Sequence, residues 1–447
     1  MGGPSAVASA AGKQLDNMAD ITRLTTRTIR ILGQNPSSFT LNGTNTYLVT
    51  PPCDLNWPGR STLLPAILVD TGDARDDYAP FLEAVLRGNL RREDAQDTQP
   101  VCIGITDIIM THWHHDHVGG MPYVLRMLEK LRRQDPRVPQ PRIHKFAEPV
   151  TDPTFFDRIA DVDPTAYAHA PNSEGTRAVL WPLRDAQTIS VVDPENSSLV
   201  SSLRALFTPG HAADHTSLLL EEDNILFTGD NVLGRGSTVF EDLVLYLRSL
   251  QRSLALLSAR RPTRPGVYGT PVSGVQGENV LYPGHGPVVP KGRDTIRRYI
   301  RHRLEREEQI LALLTGRPGD KEFSTEAMAF PEKVLTARMH THEPRHTWTL
   351  FQLIAVLYAN YETKMYPAVA RGLLLHLQKL SQPIEDLPSP PFYLADPLPT
   401  TQWTKDDRLV RSVRLPSYQR STNAIPDAAS NEAEWWELME IPWVLSQ

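Results

Sequence analysis

The sequence predicts an α/β domain followed by a small helical module. Between residues 29 and 290, short β-branched runs alternate with turns and a few helical stretches, which is the pattern of an α/β fold. Beyond Lys291 the spacing of the apolar residues changes to that of amphipathic helices. At 447 residues the chain is too long for one average domain, so we expect one large domain with additions.

The predicted strands of the α/β domain end at turn-forming or ligand-type residues. Clear examples are TYLVT at 46–50, AILVDTG at 66–72 and ITDIIMTH at 105–112. The runs ILVD, DIIM and NILF are almost wholly apolar, as expected of strands that are buried on both faces. Functional side chains are therefore expected on the loops at the strand ends.

Pro-rich or polar inserts interrupt this pattern at residues 51–65, 133–175 and 260–278. The last of them, RRPTRPGVYGTPVSGVQGE, is a poor candidate for any regular element because of its prolines and glycines. We interpret the inserts as lids or elongated surface loops.

The C-terminal part of the chain carries the helical pattern in three stretches, RDTIRRYIRHRLEREEQILALL, TWTLFQLIAVLYANY and YPAVARGLLLHLQKL. After Gln382, frequent prolines forbid continued helix. The predicted organisation is a disordered leader of residues 1–22, an α/β domain of residues 23–290, a helical module of residues 291–382, and a Pro-rich extension and tail of residues 383–447.

The composition excludes several classes of protein. With 46 Lys and Arg against 52 Asp and Glu, the net charge of −6 offers no overall attraction for nucleic acid or an anionic membrane. No apolar run approaches the ~18 residues that span a bilayer, so no membrane partner is expected. The only two cysteines, Cys53 and Cys102, form no C-x-x-C pair, which favours a reducing compartment.

The N-terminal segment helps to predict the cellular compartment of the protein. It lacks the compact apolar core of a secretory signal, and Asp16 and Asp20 precede its basic stretch, whereas transit peptides are poor in acidic residues. We therefore predict a cytoplasmic protein, with mitochondrial import as the alternative.

The segment IIMTHWHHDHVGG holds the strongest functional signal. An apolar strand leads into a loop on which His112, His114, Asp116 and His117 lie within six positions. A single loop histidine is more often a solvated surface residue, but four potential ligands together favour a metal site. Imidazole and carboxylate at this density suit a borderline cation such as zinc.

Three later residues have similar surroundings: His211 in LFTPGHAADH, Asp230 in NILFTGD and His285 in VLYPGHGP. Each follows an apolar run and has a glycine beside it, which permits the close approach that a metal site requires. Any one of them could be an ordinary turn residue. Together with the first cluster, they predict one metal centre assembled from four segments.

The segment THWHHDH resembles the motif T-H-x-H-x-D-H of the metallo-β-lactamase superfamily. The resemblance implies an αββα sandwich and two metal ions, which we expect to be Zn²⁺. The implied ligands of the first metal are His112, His114 and His211, and those of the second metal are Asp116, His117 and His285. The resemblance implies that Asp230 bridges the two metals. VDTGD at 69–73 resembles another superfamily motif, which implies that Asp70 orients a ligand.

A narrower resemblance covers residues 31–49, 227–243 and 299–311, which are similar to the lactamase-β-like group near the glyoxalase-type hydrolases. That group includes a mitochondrial single-strand endoribonuclease and fungal thioesterases that release polyketides from acyl carrier protein. It implies a small, winged-helix-like domain for the helices after residue 291. The inserts and the tail depart from the compact pattern of the family.

The implied centre would activate water for hydrolysis, because two metals that share a water lower its pKa. No G-x-S-x-G segment suggests a serine nucleophile. Asp116 can bind a metal and also orient the water or receive its proton, so it is the candidate general acid/base.

The chemistry of the leaving group predicts the class of substrate. A thiol, with a pKa near ~8.5, departs with little acid assistance, so the site suffices for a thioester. RNA requires a stronger proton donor and phosphate contacts in a basic groove. His215 is either such a donor or a structural residue next to the ligands.

Basic residues at 126–137 and 297–306 form either solvated helix faces or a grip for RNA or an acidic carrier protein. We favour a thioesterase whose partner is an acyl carrier protein or a polyketide synthase. The alternatives are a metal-dependent endoribonuclease that acts on RNA, and a non-catalytic scaffold, whose mark would be lost ligands; none is lost.

Overall fold

The computed structural model describes residues 18–53, 61–94, 96, 99–148, 152–170, 179–259, 279–315, 348–359, 366–381, 410–412 and 442–445. The chain divides into two compact units, one of residues Met1–Thr238 and Arg248–Arg297, the other of residues Val239–Leu247 and Arg298–Gln447. The insert predicted at 260–278 and most of the leader and tail lie outside the described residues. The domain boundaries placed after residues 22, 290 and 382 stay predictions.

The first unit contains a seven-stranded sheet whose spatial order follows the chain. Its strands are β1 Ile21–Arg23, β2 Thr28–Leu32, β3 Asn45–Val49, β4 Leu64–Val69, β5 Ile103–Ile109, β6 Arg142–Phe146 and β7 Leu180–Leu183. Neighbours from β1 to β4 are antiparallel, and those from β4 to β7 are parallel. As predicted from their apolar runs, β4 and β5 are buried almost throughout.

A second sheet of the same unit has five strands in the order β12-β11-β10-β9-β8. They are β8 Thr188–Asp193, β9 Asn196–Phe207, β10 Thr216–Leu220, β11 Ile225–Gly229 and β12 Leu281–Pro283. β8 to β11 form antiparallel pairs, whereas β12 is parallel to β11. The carboxyl ends of β11 and β12 therefore meet at one edge of this sheet.

The two sheets pack face to face and are covered by helices. The described helices of this region are α1 Ala79–Leu86, α2 His115–Val118, α3 Met121–Gln134, α4 Asp152–Ile159 and α5 Leu243–Ala259. One apolar core joins Ile67 and Ile109 of the first sheet to Leu218 and Phe227 of the second. A second core packs the other face of the first sheet against α1, α3 and α4. Arg252 of α5 donates to the Phe207 carbonyl at 2.8 Å, which places the part of α5 that follows Leu247 on the second sheet. The predicted αββα sandwich is confirmed.

The interpretation of residues 133–175 as an irregular insert is wrong for its central part, which forms β6 and α4. The sequence of β6, RIHKF, reads as polar, but its polar side chains have buried partners. His144 Nε2 lies 2.7 Å and Arg142 Nε 2.8 Å from Asp107 Oδ1 on the neighbouring strand β5. Pairing across the sheet, which hydropathy does not register, allows this polar strand to be internal.

The three helical stretches predicted after residue 291 are present. The described elements here are α6 Gly292–Thr315, β13 Trp348–Thr349, α7 Leu350–Leu357, α8 Tyr366–Ser381, β14 Val410–Ser412 and β15 Pro442–Leu445. The strands form a small antiparallel sheet in the order β13-β15-β14. Ile310 of α6, Leu353 of α7 and Leu373 of α8 share one apolar core. Thr349 and Gln352 form a capping box at the start of α7, which explains why the helix begins there.

None of the helices within the described residues is long and apolar enough to cross a membrane. This agrees with the absence of a long apolar run in the sequence.

A buried carboxylate joins α6 to α8. The side chain of Glu307 is 2% exposed. Its Oε1 lies 3.3 Å from His376 Nδ1, and its Oε2 lies 2.7 Å from Lys379 Nζ. Burial raises the pKa of Glu307, but His376 and Lys379 outweigh it and hold the pKa below its ordinary value. The carboxylate is therefore ionised and fully engaged.

Replacing this carboxylate is expected to destabilise the helical module. We expect Glu307→Ala to lower the free energy of unfolding by about 3 kcal/mol, because it removes one side of a buried charged network. Urea denaturation measures the change. The control is Glu308→Ala, an exposed residue of the same helix, with an expected change below about 0.5 kcal/mol. Equal effects of the two substitutions would contradict the prediction.

Candidate metal centre

The candidate ligands leave the ends of strands from both sheets. His112 and His114 follow β5, and Asp116 and His117 lie in the short helix α2 directly after them. Asp230 follows β11, His285 lies two residues beyond β12, and His211 lies in the connection from β9 to β10. The structure therefore brings all seven predicted residues together, in three overlapping groups whose ligand atoms lie within 4.8 Å of one another.

Three histidine nitrogens meet at one point, and we call His112, His114 and His211 the first histidine group. His114 Nδ1 lies 3.0 Å from His112 Nε2 and 2.9 Å from His211 Nε2. The two Nε2 atoms are 3.3 Å apart. Burial lowers the pKa of His112 well below its ordinary value, so its ring is neutral. Three imidazole nitrogens at this spacing suit a tetrahedral cation with one open position.

The second group consists of Asp116, His117 and His285. His285 Nε2 lies 3.1 Å and His117 Nε2 3.4 Å from Asp116 Oδ2. Burial lowers the pKa of His285, but Asp230 and Asp116 outweigh it and raise the pKa to about 9. The carboxylates thus attract positive charge, which a bound cation supplies in place of these protons.

Asp230 lies between the two groups. Its Oδ1 is 3.4 Å from His117 Nε2, and its Oδ2 is 3.2 Å from His285 Nε2. The same Oδ2 is 3.8 Å from His211 Nε2 of the first histidine group. Histidine partners hold the pKa of Asp230 well below its ordinary value against the effect of burial, so its side chain is a carboxylate. This position suits a ligand shared by two cations.

The site also shows unsatisfied polar atoms that fit a bound metal. His117 Nε2 and Asp230 Oδ1 are buried and have no hydrogen-bond partner. Such atoms are costly unless a ligand or ion engages them. At Gly284 a Cβ would lie only 2.3 Å from Asp230 Oδ1 and 2.9 Å from His117 Cε1, so only glycine leaves room for this arrangement. The donor set and its geometry therefore fit a divalent cation.

Asp70 orients ligands of both groups. Its backbone is left-handed, with φ of 60°, and its Oδ2 accepts from His117 Nδ1 at 2.8 Å. Oδ2 also accepts from the Thr111 hydroxyl at 2.8 Å, so that hydroxyl must accept from His112 Nδ1, 3.0 Å away. Both rings thus donate through Nδ1 and turn Nε2 toward the site. This is the role expected of an outer carboxylate.

Of the two interpretations of His215, the geometry favours the structural one. Its Nε2 accepts from the Asp230 backbone N–H at 3.2 Å, and its Nδ1 lies 3.0 Å from the Thr208 hydroxyl. Burial lowers the pKa of His215 well below its ordinary value, so the ring is neutral. Both nitrogens are engaged, which leaves no proton for a leaving group.

Several contacts to the candidate ligands carry no recognisable signal in the sequence. The Thr44 hydroxyl donates to Asp116 Oδ2 at 3.2 Å, and Thr238 Oγ1 lies 3.2 Å from His211 Nδ1. Asn35 holds Thr44 in place, because its Oδ1 accepts from the Thr44 backbone N–H at 2.8 Å. The segment FTLNGTNT contains turn residues but no signal that would identify Thr44 as a contact of Asp116.

Asp116 and His114 are partly exposed, whereas the other candidate ligands are buried. The side chain of Asp116 is 25% exposed. His117 and His285 hold its pKa below the ordinary value in spite of burial, so it is ionised. A substrate can therefore approach the centre on the side of Asp116 and His114.

Comparison with protein-family models gives two matches. Residues 57–270 match the model described as the metallo-beta-lactamase superfamily. Residues 349–383 match the model described as the beta-lactamase associated winged helix domain. The second match confirms the winged-helix character that was expected of the C-terminal helices.

Curated relatives cover much of the chain. It is 33% identical over 362 residues to the beta-lactamase-like protein 2 homolog of Drosophila melanogaster, a match of 81% of this chain and 90% of that protein. It is 32% identical over 300 residues to the lactamase-like protein nscB of Aspergillus fumigatus, covering 67% of this chain and 65% of that protein. Thioesterase pkgB of Emericella nidulans is 33% identical over 286 residues, covering 64% of this chain and 58% of that protein.

Proposed function

Because this chain belongs to the metallo-β-lactamase superfamily of hydrolases, we propose that it is a two-zinc thioesterase that releases an acyl product from acyl carrier protein. The observation that carries the proposal is the convergence of seven ligand-type residues around Asp230. When bound at such a centre, zinc lowers the pKa of water and polarises the bond under attack. The first histidine group would hold one ion, the second group the other, and Asp230 would bridge them.

In this proposal Asp116 handles the proton of the attacking water. It is ionised, partly exposed and held by the Thr44 hydroxyl on Oδ2. A carboxylate in this position accepts a proton as the nucleophile forms and can return it to the leaving group. Asp70 and His215 take no part in proton transfer and instead orient the ligands.

The properties of the leaving group support a thioester over RNA. A thiolate leaves without a strong acid, whereas an alkoxide requires a proton donor. His215, the candidate proton donor for an RNA leaving group, uses both ring nitrogens within the protein. The relative named thioesterase pkgB points in the same direction.

Several residues of the basic stretches that could grip RNA have partners within the protein. In residues 126–137, Arg137 lies 2.7 Å from Asp135, and Lys130 lies 3.5 Å from Glu83. In α6, the Arg303 guanidinium lies 4.8 Å from the centre of the Phe240 ring, and that of Arg306 lies 4.4 Å from the Tyr358 ring. Arginines stacked on aromatic rings and paired with carboxylates are less available to phosphates.

A direct comparison of substrates tests the proposed function. The full-length protein, purified and supplemented with zinc, is offered an acyl thioester on acyl carrier protein and, separately, a labelled single-stranded RNA. We expect release of the acyl group and no cleavage of RNA. The control is Asp116→Asn, because activity that is unchanged in this variant comes from a contaminant. Cleavage of RNA alone, abolished by this substitution, would replace the thioesterase with the endoribonuclease.

Phe39 is a candidate contact for an apolar acyl chain. It is 82% exposed and lies five residues before Thr44, whose hydroxyl binds Asp116. The loop that presents it is held by internal hydrogen bonds, among them Thr40 Oγ1 to the Asn35 carbonyl at 2.5 Å. An exposed phenylalanine on a hydrogen-bonded loop that leads to Thr44 can offer a large apolar contact area to an acyl chain.

We expect Phe39→Ser to raise KM for a long-chain acyl thioester by about tenfold, since about 1.4 kcal/mol of apolar contact would be lost. The kcat value should stay within about twofold, because the substitution leaves the metal ligands unchanged. Steady-state kinetics with acetyl and long-chain thioesters measure the difference. The control is Val192→Ser, another exposed apolar residue, 41% exposed on the edge strand β8. An unchanged KM for the long chain would exclude Phe39 from acyl recognition.

A further inference from the structure

A buried ion pair connects the two sheets close to the first histidine group. Lys145 Nζ lies 2.8 Å from Asp214 Oδ2, and both side chains are 0% exposed. Lys145 lies in β6 of the first sheet, and Asp214 lies in the connection from β9 to β10 of the second. Neither residue is among the candidate ligands. Burial of two charges carries a large desolvation cost, so the pair requires an explanation beyond ordinary packing.

Asp214 connects the segments that carry the first histidine group. Its Oδ1 accepts from the backbone N–H of Trp113 at 3.3 Å, and Trp113 separates His112 from His114 in the chain. Asp214 itself lies three residues after His211. Next to this contact, the Thr216 N–H donates to the Thr111 carbonyl at 2.8 Å. The two segments therefore meet through one carboxylate and one backbone hydrogen bond.

Lys145 is the charged partner of that carboxylate, 2.8 Å from its Oδ2. Burial raises the pKa of Asp214, and Lys145 offsets part of this effect. Lys145 also donates to the Phe146 carbonyl at 3.2 Å, so its ammonium group is held at the end of β6. A rigid strand thus fixes the direction in which Asp214 faces Trp113.

We propose that Lys145 and Asp214 are positioning residues: Lys145 fixes the Asp214 carboxylate, which holds the Trp113 amide and thereby the first histidine group. The inference rests on the proposed metal centre but is independent of the substrate. Outer contacts of this kind typically change metal affinity by about 10- to 100-fold when they are removed. Without the pair, the three nitrogens of the first histidine group would no longer be held within 3.3 Å of one another.

The test measures zinc affinity of the full-length protein by competition with a chelator. We expect Lys145→Met to weaken binding of one zinc equivalent by about 10- to 100-fold. The matched control is Arg27→Met, which breaks another buried ion pair of the same unit. Arg27 Nε lies 3.2 Å from Asp223 Oδ1, both side chains are 4% exposed, and the Arg27 guanidinium also donates to the Val200 carbonyl and the Ser201 hydroxyl. Arg27→Met should lower stability and leave zinc affinity unchanged.

The double variant Lys145→Met/Asp214→Asn separates positioning from stability. It leaves no unpaired buried charge, so it should recover much of the stability lost in Lys145→Met, while zinc binding stays weak. Recovery of normal zinc affinity in the double variant would overturn the proposal, because the pair would then serve only charge balance. Equal weakening by Arg27→Met would overturn it as well, since the effect would then follow from general destabilisation.

Hydrogen exchange of the metal-free protein gives a readout that needs neither zinc nor substrate. We expect the Trp113 amide to exchange at least about tenfold faster in Lys145→Met than in the unsubstituted protein, and unchanged in Arg27→Met. Unchanged exchange in Lys145→Met would overturn the proposal. Because this measurement does not depend on turnover, failure of the thioesterase assay alone leaves the positioning role standing.

Discussion

Asp230→Ala is expected to lower kcat/KM by at least about 1000-fold, whatever the substrate, which corresponds to about 4 kcal/mol of transition-state stabilisation. The carboxylate of Asp230 lies 3.4 Å from His117, 3.2 Å from His285 and 3.8 Å from His211. Its removal takes away the proposed bridge and leaves Asp116 as the remaining carboxylate beside His117 and His285. The ion of the second group is expected to be lost first, because Asp230 lies closer to His117 and His285 than to His211.

Zinc content and steady-state kinetics test this prediction together. The control is Asp185→Ala, which removes a surface carboxylate of the same unit that is 43% exposed and paired with Arg252. That substitution should leave turnover and zinc content unchanged. If Asp230→Ala retained two zinc equivalents and full turnover, the dinuclear assignment would have to be abandoned.

Asp116→Asn is expected to lower kcat by about 10²- to 10⁴-fold, the usual contribution of a positioned proton acceptor. The amide keeps the shape of the side chain and one oxygen that can face His285. In the unsubstituted protein, His285 Nε2 lies 3.1 Å from Asp116 Oδ2. It cannot accept a proton as a carboxylate does. The fall in kcat should therefore exceed any fall in zinc content.

Measurements of kcat and zinc stoichiometry on the same preparation distinguish the two roles of Asp116. Asp73→Asn serves as the control, since Asp73 is a nearby carboxylate whose Oδ1 lies 2.8 Å from His115 Nε2 and contacts no candidate ligand. It should change kcat by less than about threefold. Loss of zinc in proportion to kcat in Asp116→Asn would reduce Asp116 to a ligand without a role in proton transfer.

The seven candidate ligands could be named from the sequence because the chemistry is concentrated in short segments. Four lie within six positions after an apolar strand, and the others each follow an apolar run beside a glycine. The apolar runs of β4, β5 and β11 also predicted buried strands, and the structure agrees. Patterns of this kind depend on residues close in the chain, so they can be recognised without a fold.

The strand β6 shows where local patterns are insufficient. Its polar sequence hid a buried strand, because the partner of Arg142 and His144 is Asp107, 35 and 37 residues away in the chain. Hydropathy assigns a cost to each polar residue separately. Only the sheet register reveals that these polar groups compensate one another.

The sequence by itself thus determined the α/β fold, the helical module and the set of candidate ligands. The tertiary structure decided how those ligands are held: Asp70 on two rings, Thr44 on Asp116, His215 on the Asp230 backbone, and Lys145 on Asp214. The physical reason is distance along the chain. A hydrogen bond between residues 72 positions apart, such as that of Thr44 with Asp116, exists only because strand pairing and sheet packing bring the two side chains together.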